Sequence, residues 1–136
     1  AGFETEARYQ LNDKLTLSGN YSFHHVSSTN NTGLLPEHMA KALLNWEIAR
    51  DWTLGAQLNW IGERKRPAFD PRGNLDNYFI AGLTLSTQLA KPVAFTIRVN
   101  NLFGANAKEP SMNAVLLPGD ISVNDRSILG QIKWTF

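Results

Sequence analysis

The sequence predicts an all-β chain whose antiparallel strands form part of the wall of a transmembrane β-barrel. Three observations lead there. Side chains alternate between apolar and polar along almost the whole chain, down to its final residue. Tight turns alternate strictly with long polar connections, and aromatic residues gather near the strand ends. A strand sends successive side chains to opposite faces, so sustained alternation marks a sheet with a different environment on each side. Transmembrane barrels carry short turns at one rim and long loops at the other, and amphipathic rings favour the two lipid–water boundaries. A soluble sandwich has no reason to sort its loops by length.

The strands follow in order. The first places Phe3, Thr5, Ala7, Tyr9 and Leu11 on one face and Glu4, Glu6, Arg8 and Gln10 on the other. Asn12-Asp13-Lys14 is a turn rich in turn formers. The second sets Leu15, Leu17, Gly19, Tyr21 and Phe23 against Thr16, Ser18, Asn20, Ser22 and His24. A polar connection spans about 27–37 and contains Asn30-Asn31-Thr32-Gly33. The third opposes Ala40, Ala42, Leu44, Trp46 and Ile48 to Lys41, Asn45 and Glu47. The window from Glu37 to Glu47 also fits a helix, but its period of two and its strand neighbours favour a strand.

After a turn at Ala49-Arg50-Asp51, the fourth strand sets Trp52, Leu54, Ala56, Leu58 and Trp60 against Thr53, Gln57 and Asn59. A connection over about 62–77 leads to the fifth, with Phe79, Ala81, Leu83 and Leu85 opposite Tyr78, Thr84 and Ser86. A tight link at Ala90-Lys91-Pro92 precedes the sixth, with Val93, Phe95, Ile97 and Val99 opposite Thr96, Arg98 and Asn100. A last connection over about 104–125 reaches the terminal strand. There Ile128, Gly130, Ile132, Trp134 and Phe136 share one face, and Gln131, Lys133 and Thr135 the other. The interfacial aromatics are then Tyr9, Trp46 and Trp52 at the tight-turn rim, with Trp134 and Phe136, and Trp60 and Phe79 at the long-loop rim, with Phe23.

Composition narrows the functional classes. At 136 residues the chain is long enough for one domain with a core of its own. A net charge of +1 supplies no field for nucleic acid. No run approaches the roughly 20 apolar residues of a membrane-spanning helix. The N-terminus lacks the charged-then-apolar pattern of a signal peptide, which for an outer-membrane protein implies processing or truncation upstream. A complete bacterial barrel has an even strand number, and the count here is about seven. With the C-terminus at the tight-turn rim, Ala1 falls at the long-loop rim, so the expectation is the C-terminal third of a larger barrel.

Enzyme motifs are absent: the sequence holds no G-x-S-x-G, no G-x-x-x-x-G-K, no H-E-x-x-H and no cysteine. No catalytic residue, metal site or cofactor is therefore expected. Glu4, Glu6 and Arg8 read as charges facing water. His24 and His25 are neighbours on one strand and point opposite ways, so both cannot ligate one iron. His24, on the polar phase at the long-loop rim, is either an interfacial polar residue or an axial haem ligand, while His38 is on the apolar phase. The run Glu63-Arg64-Lys65-Arg66, with Arg72 in the same loop, suits lipopolysaccharide phosphates, an anionic ferric chelate or plain solvation. On those grounds His24, Arg64, Arg66 and Arg72 are the candidate ligand contacts.

Several segments resemble one family. Arg98-Val99-Asn100-Asn101-Leu102-Phe103-Gly104 resembles the "v-x-N-L-F" segment on the penultimate strand of TonB-dependent outer-membrane receptors. Leu35-Pro36-Glu37-His38 is similar to their "P-x-H" before a downward strand, and the stretch from Trp52 to Gly62 to the upward strand that follows. The terminal Ile132, Trp134 and Phe136 resemble the assembly signal of outer-membrane proteins. The resemblance implies a barrel of about 22 strands with a plugged lumen. It also implies uptake of a siderophore, haem or similar nutrient, in the outer membrane of a Gram-negative bacterium. The implied partners are outer-membrane lipid and lipopolysaccharide, the barrel-assembly machinery, an iron chelate, and the TonB complex through an N-terminal plug not in this chain. Two alternatives remain open from sequence: a small structural or adhesive outer-membrane barrel, and a soluble β-sandwich binding module.

Overall fold

Alternation of this length produces one antiparallel sheet. The computed structural model describes residues 1–25, 35–66, 70–111, 115, 117–123 and 125–135. Its strands are β1 (Gly2–Asn12), β2 (Leu15–His24), β3 (His38–Ala49), β4 (Trp52–Ile61), β5 (Tyr78–Ala90), β6 (Val93–Asn100), β7 (Lys108–Glu109), β8 (Ile121–Ser122) and β9 (Ser127–Trp134). Seven of them form a sheet in the order β1-β2-β3-β4-β5-β6-β9. Strands β7 and β8 pair separately, as a two-residue ribbon inside the last long connection, where the sequence predicts no strand. The helix-compatible window is strand, in β3.

Each tight turn is reached through a register shift, between Gln10 and Asn12, between Glu47 and Ala49, and between Gln88 and Ala90. An extra residue at such a bulge increases local twist and re-aims the chain. In the first turn the Lys14 amide donates to Asn12 Oδ1 at 2.9 Å. In the second, Asp51 adopts φ 63°, a left-handed conformation that short polar side chains tolerate. In the third, the Gln88 amide group donates to the carbonyls of Ala90 and Val93 and closes the hairpin.

The register carries the two faces across all seven strands. One row runs Tyr9, Leu17, Leu44, Ala56, Leu83, Val99, Ile128. The neighbouring row on the opposite face runs Arg8, Ser18, Leu43, Gln57, Gly82. The polar face is not wholly polar, since Met39, Leu43, Ile61, Ile80 and Leu129 also belong to it.

The sheet encloses no apolar core of its own among the described residues. Among the described residues Leu75 and Ala107 are the buried hydrophobics, and both lie in connections outside the seven-stranded sheet. Ile128, Ile132 and Tyr9 on the apolar face are 73%, 71% and 67% exposed. A sandwich would bury that face under a second sheet about 10 Å away, and the described residues offer only the two-residue ribbon. The sandwich alternative is thereby corrected: among the described residues no second sheet covers the apolar face.

Candidate functional site

Two features of the sheet bear on function, the bands of rings on its apolar face and the loops at one rim. At the long-loop rim Phe3, Phe23, His38, Trp60 and Phe79 follow one another across four hairpin-linked strands and into β5. Ring centroids lie 5.9 Å apart for Phe3–Phe23, 5.0 Å for Phe23–His38, 6.5 Å for His38–Trp60 and 6.3 Å for Trp60–Phe79. His38 is accommodated among them because its Nδ1 hydrogen-bonds the Tyr21 hydroxyl at 2.6 Å. At the other rim Tyr9, Trp46, Trp52 and Trp134 lie on the same apolar face. All four tryptophans of the chain are on that face. Ile132 and Trp134 line the apolar side of β9, while Phe136 lies outside the described residues.

Above the long-loop rim, the β4–β5 and β6–β9 connections are joined by ion pairs. Arg64 is 1% exposed; it donates to the Glu109 carboxylate and the Lys108 carbonyl, and its guanidinium carbon lies 5.3 Å from the centre of the Tyr78 ring. The Tyr78 hydroxyl donates to the same Glu109 at 2.9 Å. Arg64 is held there by a backbone bridge to Leu75, with both N···O distances at 3.0 Å. Arg66 donates to Asp120 at 2.7 Å and to the Gly73 carbonyl at 2.7 Å. Arg72 donates to both oxygens of Asp70, and its Nη1 reaches Ser111 Oγ at 3.0 Å. The hydrogen bond from Arg72 holds the Asp70 carboxyl down at about 2, and the one from Arg66 lowers Asp120. Both aspartates are thus anions at neutral pH, each bound to a guanidinium.

Arg66 and Arg72 therefore come together around Asp70 and Asp120, while Arg64 pairs separately with Glu109, so that each of the three candidate arginines already faces a carboxylate. His24 stands apart from them on the polar phase of β2 opposite Gly2, exposed, with its backbone amide bonded to the Glu37 carbonyl. Lys65 reaches Glu37 at 3.4 Å. Sequence reasoning missed Asp70, Ser111, Glu109 and Asp120, the last two being partners 45 and 54 residues away from the arginines they bind. Between the two connections an open hollow of about 260 Å³ is lined by Asn74, Asp76, Asn77, Tyr78, Asn106 and Lys108, together with the Arg66–Asp120 pair. A second hollow of about 380 Å³ lies on the polar face of the sheet, beside Arg8, Thr16, Ser18, Asn45, Gln57 and Thr84.

The end of β6 shows what the Asn-Leu-Phe segment does. Asn101 adopts φ 47°, and its side chain holds Ala105 twice, accepting from the amide at 2.8 Å and donating to the carbonyl at 2.9 Å. The Leu102 amide bonds the Ala81 carbonyl of β5 at 2.8 Å. Gly104, at φ 64°, passes so close to Arg126 that a Cβ would meet its Nη2 at 2.9 Å. The strand thus ends in a locked left-handed turn that launches the long connection.

An antiparallel sheet in chain order, apolar outside with ring bands at both rims and long ion-paired loops at one, defines a piece of a membrane barrel. The chain belongs to the TonB-dependent receptor family: the model of that family's β-barrel, described as TonB dependent receptor-like, matches residues 1–102. It is a family of outer-membrane receptors, not of enzymes. A metal-pseudopaline receptor of Pseudomonas aeruginosa is 27% identical over 132 residues, which is 88% of this chain and 19% of that protein. A ferric enterobactin receptor of the same species is 29% identical over 115 residues, covering 75% of this chain and 15% of that one. The crystal structure of a ferric enterobactin receptor mutant from Pseudomonas aeruginosa superposes with a TM-score of 0.82 at 23% identity, over 99% of this chain and 22% of that chain. The chain thus spans less than a fifth of the length of the curated relatives it matches.

Proposed function

We propose that this chain forms part of the barrel wall of an outer-membrane receptor that imports an iron complex, such as a siderophore chelate or haem, or a similar nutrient by TonB-dependent transport. The observation that supports this most is the uncovered apolar face bounded by two bands of rings. In water such a face invites association; in a bilayer it is the surface that hydrocarbon requires, with each backbone group paired to the next strand. The polar face then lines the lumen, and the plug and remaining strands are supplied by the rest of the receptor. In this reading Arg64, Arg66 and Arg72 shape the external loops around the ligand, and His24 faces the lumen at their level. Lys65 meets lipopolysaccharide phosphate, and Ile132, Trp134 and Phe136 are read by the assembly machinery.

The test is genetic and direct. Disrupting the full-length gene in its host should abolish energised uptake of at least one radiolabelled iron complex, and an uncoupler should abolish it in the intact strain. Unchanged uptake of every complex tried would overturn the proposal.

A further inference from the structure

The hollow between the β4–β5 and β6–β9 connections differs from what a run of arginines suggests. We propose that it recognises a metal chelate of no net charge through hydrogen bonds, and disfavours a strongly anionic one. This rests on the receptor reading given above and narrows its ligand class.

None of the three arginines presents an uncompensated guanidinium. Arg64 is buried against Glu109 and the Lys108 carbonyl, Arg66 sits 2.7 Å from Asp120, and Arg72 is bonded to Asp70. A carboxylate at hydrogen-bond distance cancels most of the field a guanidinium sends outward. An anionic ligand would have to compete with Asp120 for Arg66 and with Asp70 for Arg72. A displaced carboxylate would stay in place with little water around it, since the Asp70 and Asp120 side chains are 6% and 18% exposed. Burying an uncompensated charge is among the most unfavourable changes a site can undergo.

The hollow itself is balanced, with Arg66 and Lys108 set against Asp76 and Asp120. Its other polar groups are neutral: Asn74, Asn77, Asn106 and the Tyr78 hydroxyl. Carboxamides offer donors and an acceptor on one group, which suits ligands bearing amide and carbonyl edges rather than bare charge. Ferric iron wrapped by three singly charged hydroxamates is such a ligand, whereas three doubly charged catecholates leave a trianion.

The experiment uses the purified full-length receptor titrated by intrinsic fluorescence at low and high salt. The probes are a neutral hexadentate ferric tris-hydroxamate and a trianionic hexadentate ferric tris-catecholate. The tris-hydroxamate should bind at least about tenfold tighter, with an affinity that salt leaves unchanged, because no long-range charge attraction is being screened. Asp76→Asn, which makes the hollow net positive, should tighten tris-catecholate binding at low salt. Tighter binding of the tris-catecholate to the unmodified receptor, falling steeply with salt, would overturn the inference, as would an Asp76→Asn variant with no gain for that probe. Those results, accompanied by energised uptake, would leave the receptor reading standing. If neither chelate binds, this inference fails, and the receptor reading stands or falls on its own uptake test.

Discussion

Placing a single arginine on successive residues of β4 should reveal which face meets lipid and how deep each residue lies. Trp52 and Trp60 mark the two ends of the apolar face of β4 (Trp52–Ile61), with Ala56 midway between them. Their separation of eight residues, at about 3.3 Å each and a tilt of about 40°, is roughly 20 Å in height, close to the apolar band of about 25 Å that a barrel presents. Ala56 therefore sits near the midplane, where an arginine costs about 2–4 kcal/mol on a lipid face. Leu58 is about 5 Å nearer the long-loop rim, so Leu58→Arg should cost less than Ala56→Arg. Asn59 is on the polar face, between Lys41 and Ile80. Asn59→Arg introduces only a like-charge neighbour in water, an effect below about 1 kcal/mol. Ala56→Leu controls for bulk and should be nearly neutral. The assay is reversible urea unfolding of the full-length barrel in lipid vesicles. Equal destabilisation by Ala56→Arg and Asn59→Arg would refute both the phase and the environment assigned to this strand.

Three further outcomes follow from the loops and the terminus. Arg64→Met leaves the Lys108 carbonyl without its donor, a loss of about 1–3 kcal/mol. The amides of Leu75 and Val123, bonded to Arg64 and Ala107 carbonyls, should then exchange hydrogen markedly faster, with strand amides of β4 unaffected. Asp70 is held at about 2 by Arg72, and Asp120 is lowered by Arg66. A carboxyl lowered by folding contributes stability that is full above its ordinary value near 4 and is lost as pH falls through the folded value. Pepsin cleavage of the 104–126 connection should thus stay slow at about pH 4 and quicken toward about pH 2; a rate already high at the upper end would contradict the pairing. Deleting Phe136 should lower the amount of full-length receptor reaching the outer membrane more than it lowers ligand affinity in assembled molecules. Lys133→Gln, on the polar face of β9, should assemble almost normally, and the reverse pattern would remove the assembly-signal reading.

The faces of the sheet were legible because each strand repeats one decision many times. A slip of one residue would invert every side chain in the strand, so seven consistent alternations leave little freedom in phase. The fate of the basic run was not legible. Arg64 follows Glu63 and precedes Lys65, and nothing local separates a buried arginine from a solvated one. Its burial is decided by Glu109 and the Lys108 carbonyl, brought there by the β7–β8 ribbon, whose two-residue strands are too short to show a period. The bulges before the tight turns were equally hidden, since a register shift needs two strands to define it. Asn101 lies between these cases. The Asn-Leu-Phe-Gly pattern was visible, but its cause, a left-handed residue bonded twice to Ala105, required the backbone angles.

The claim on which the rest depends is that this sheet turns its apolar face to lipid and its polar face to the lumen. Nitroxides attached one at a time through Leu54→Cys, Ala56→Cys, Gln57→Cys, Leu58→Cys and Asn59→Cys, in the full-length receptor reconstituted in bilayers, test it directly, and this segment has no cysteine of its own to interfere. Collision with dissolved oxygen, which concentrates in hydrocarbon, should be high at 54, 56 and 58 and low at 57 and 59, a period of two along β4. Oxygen exposure that is uniform along the strand, or highest at 57 and 59, would contradict the account.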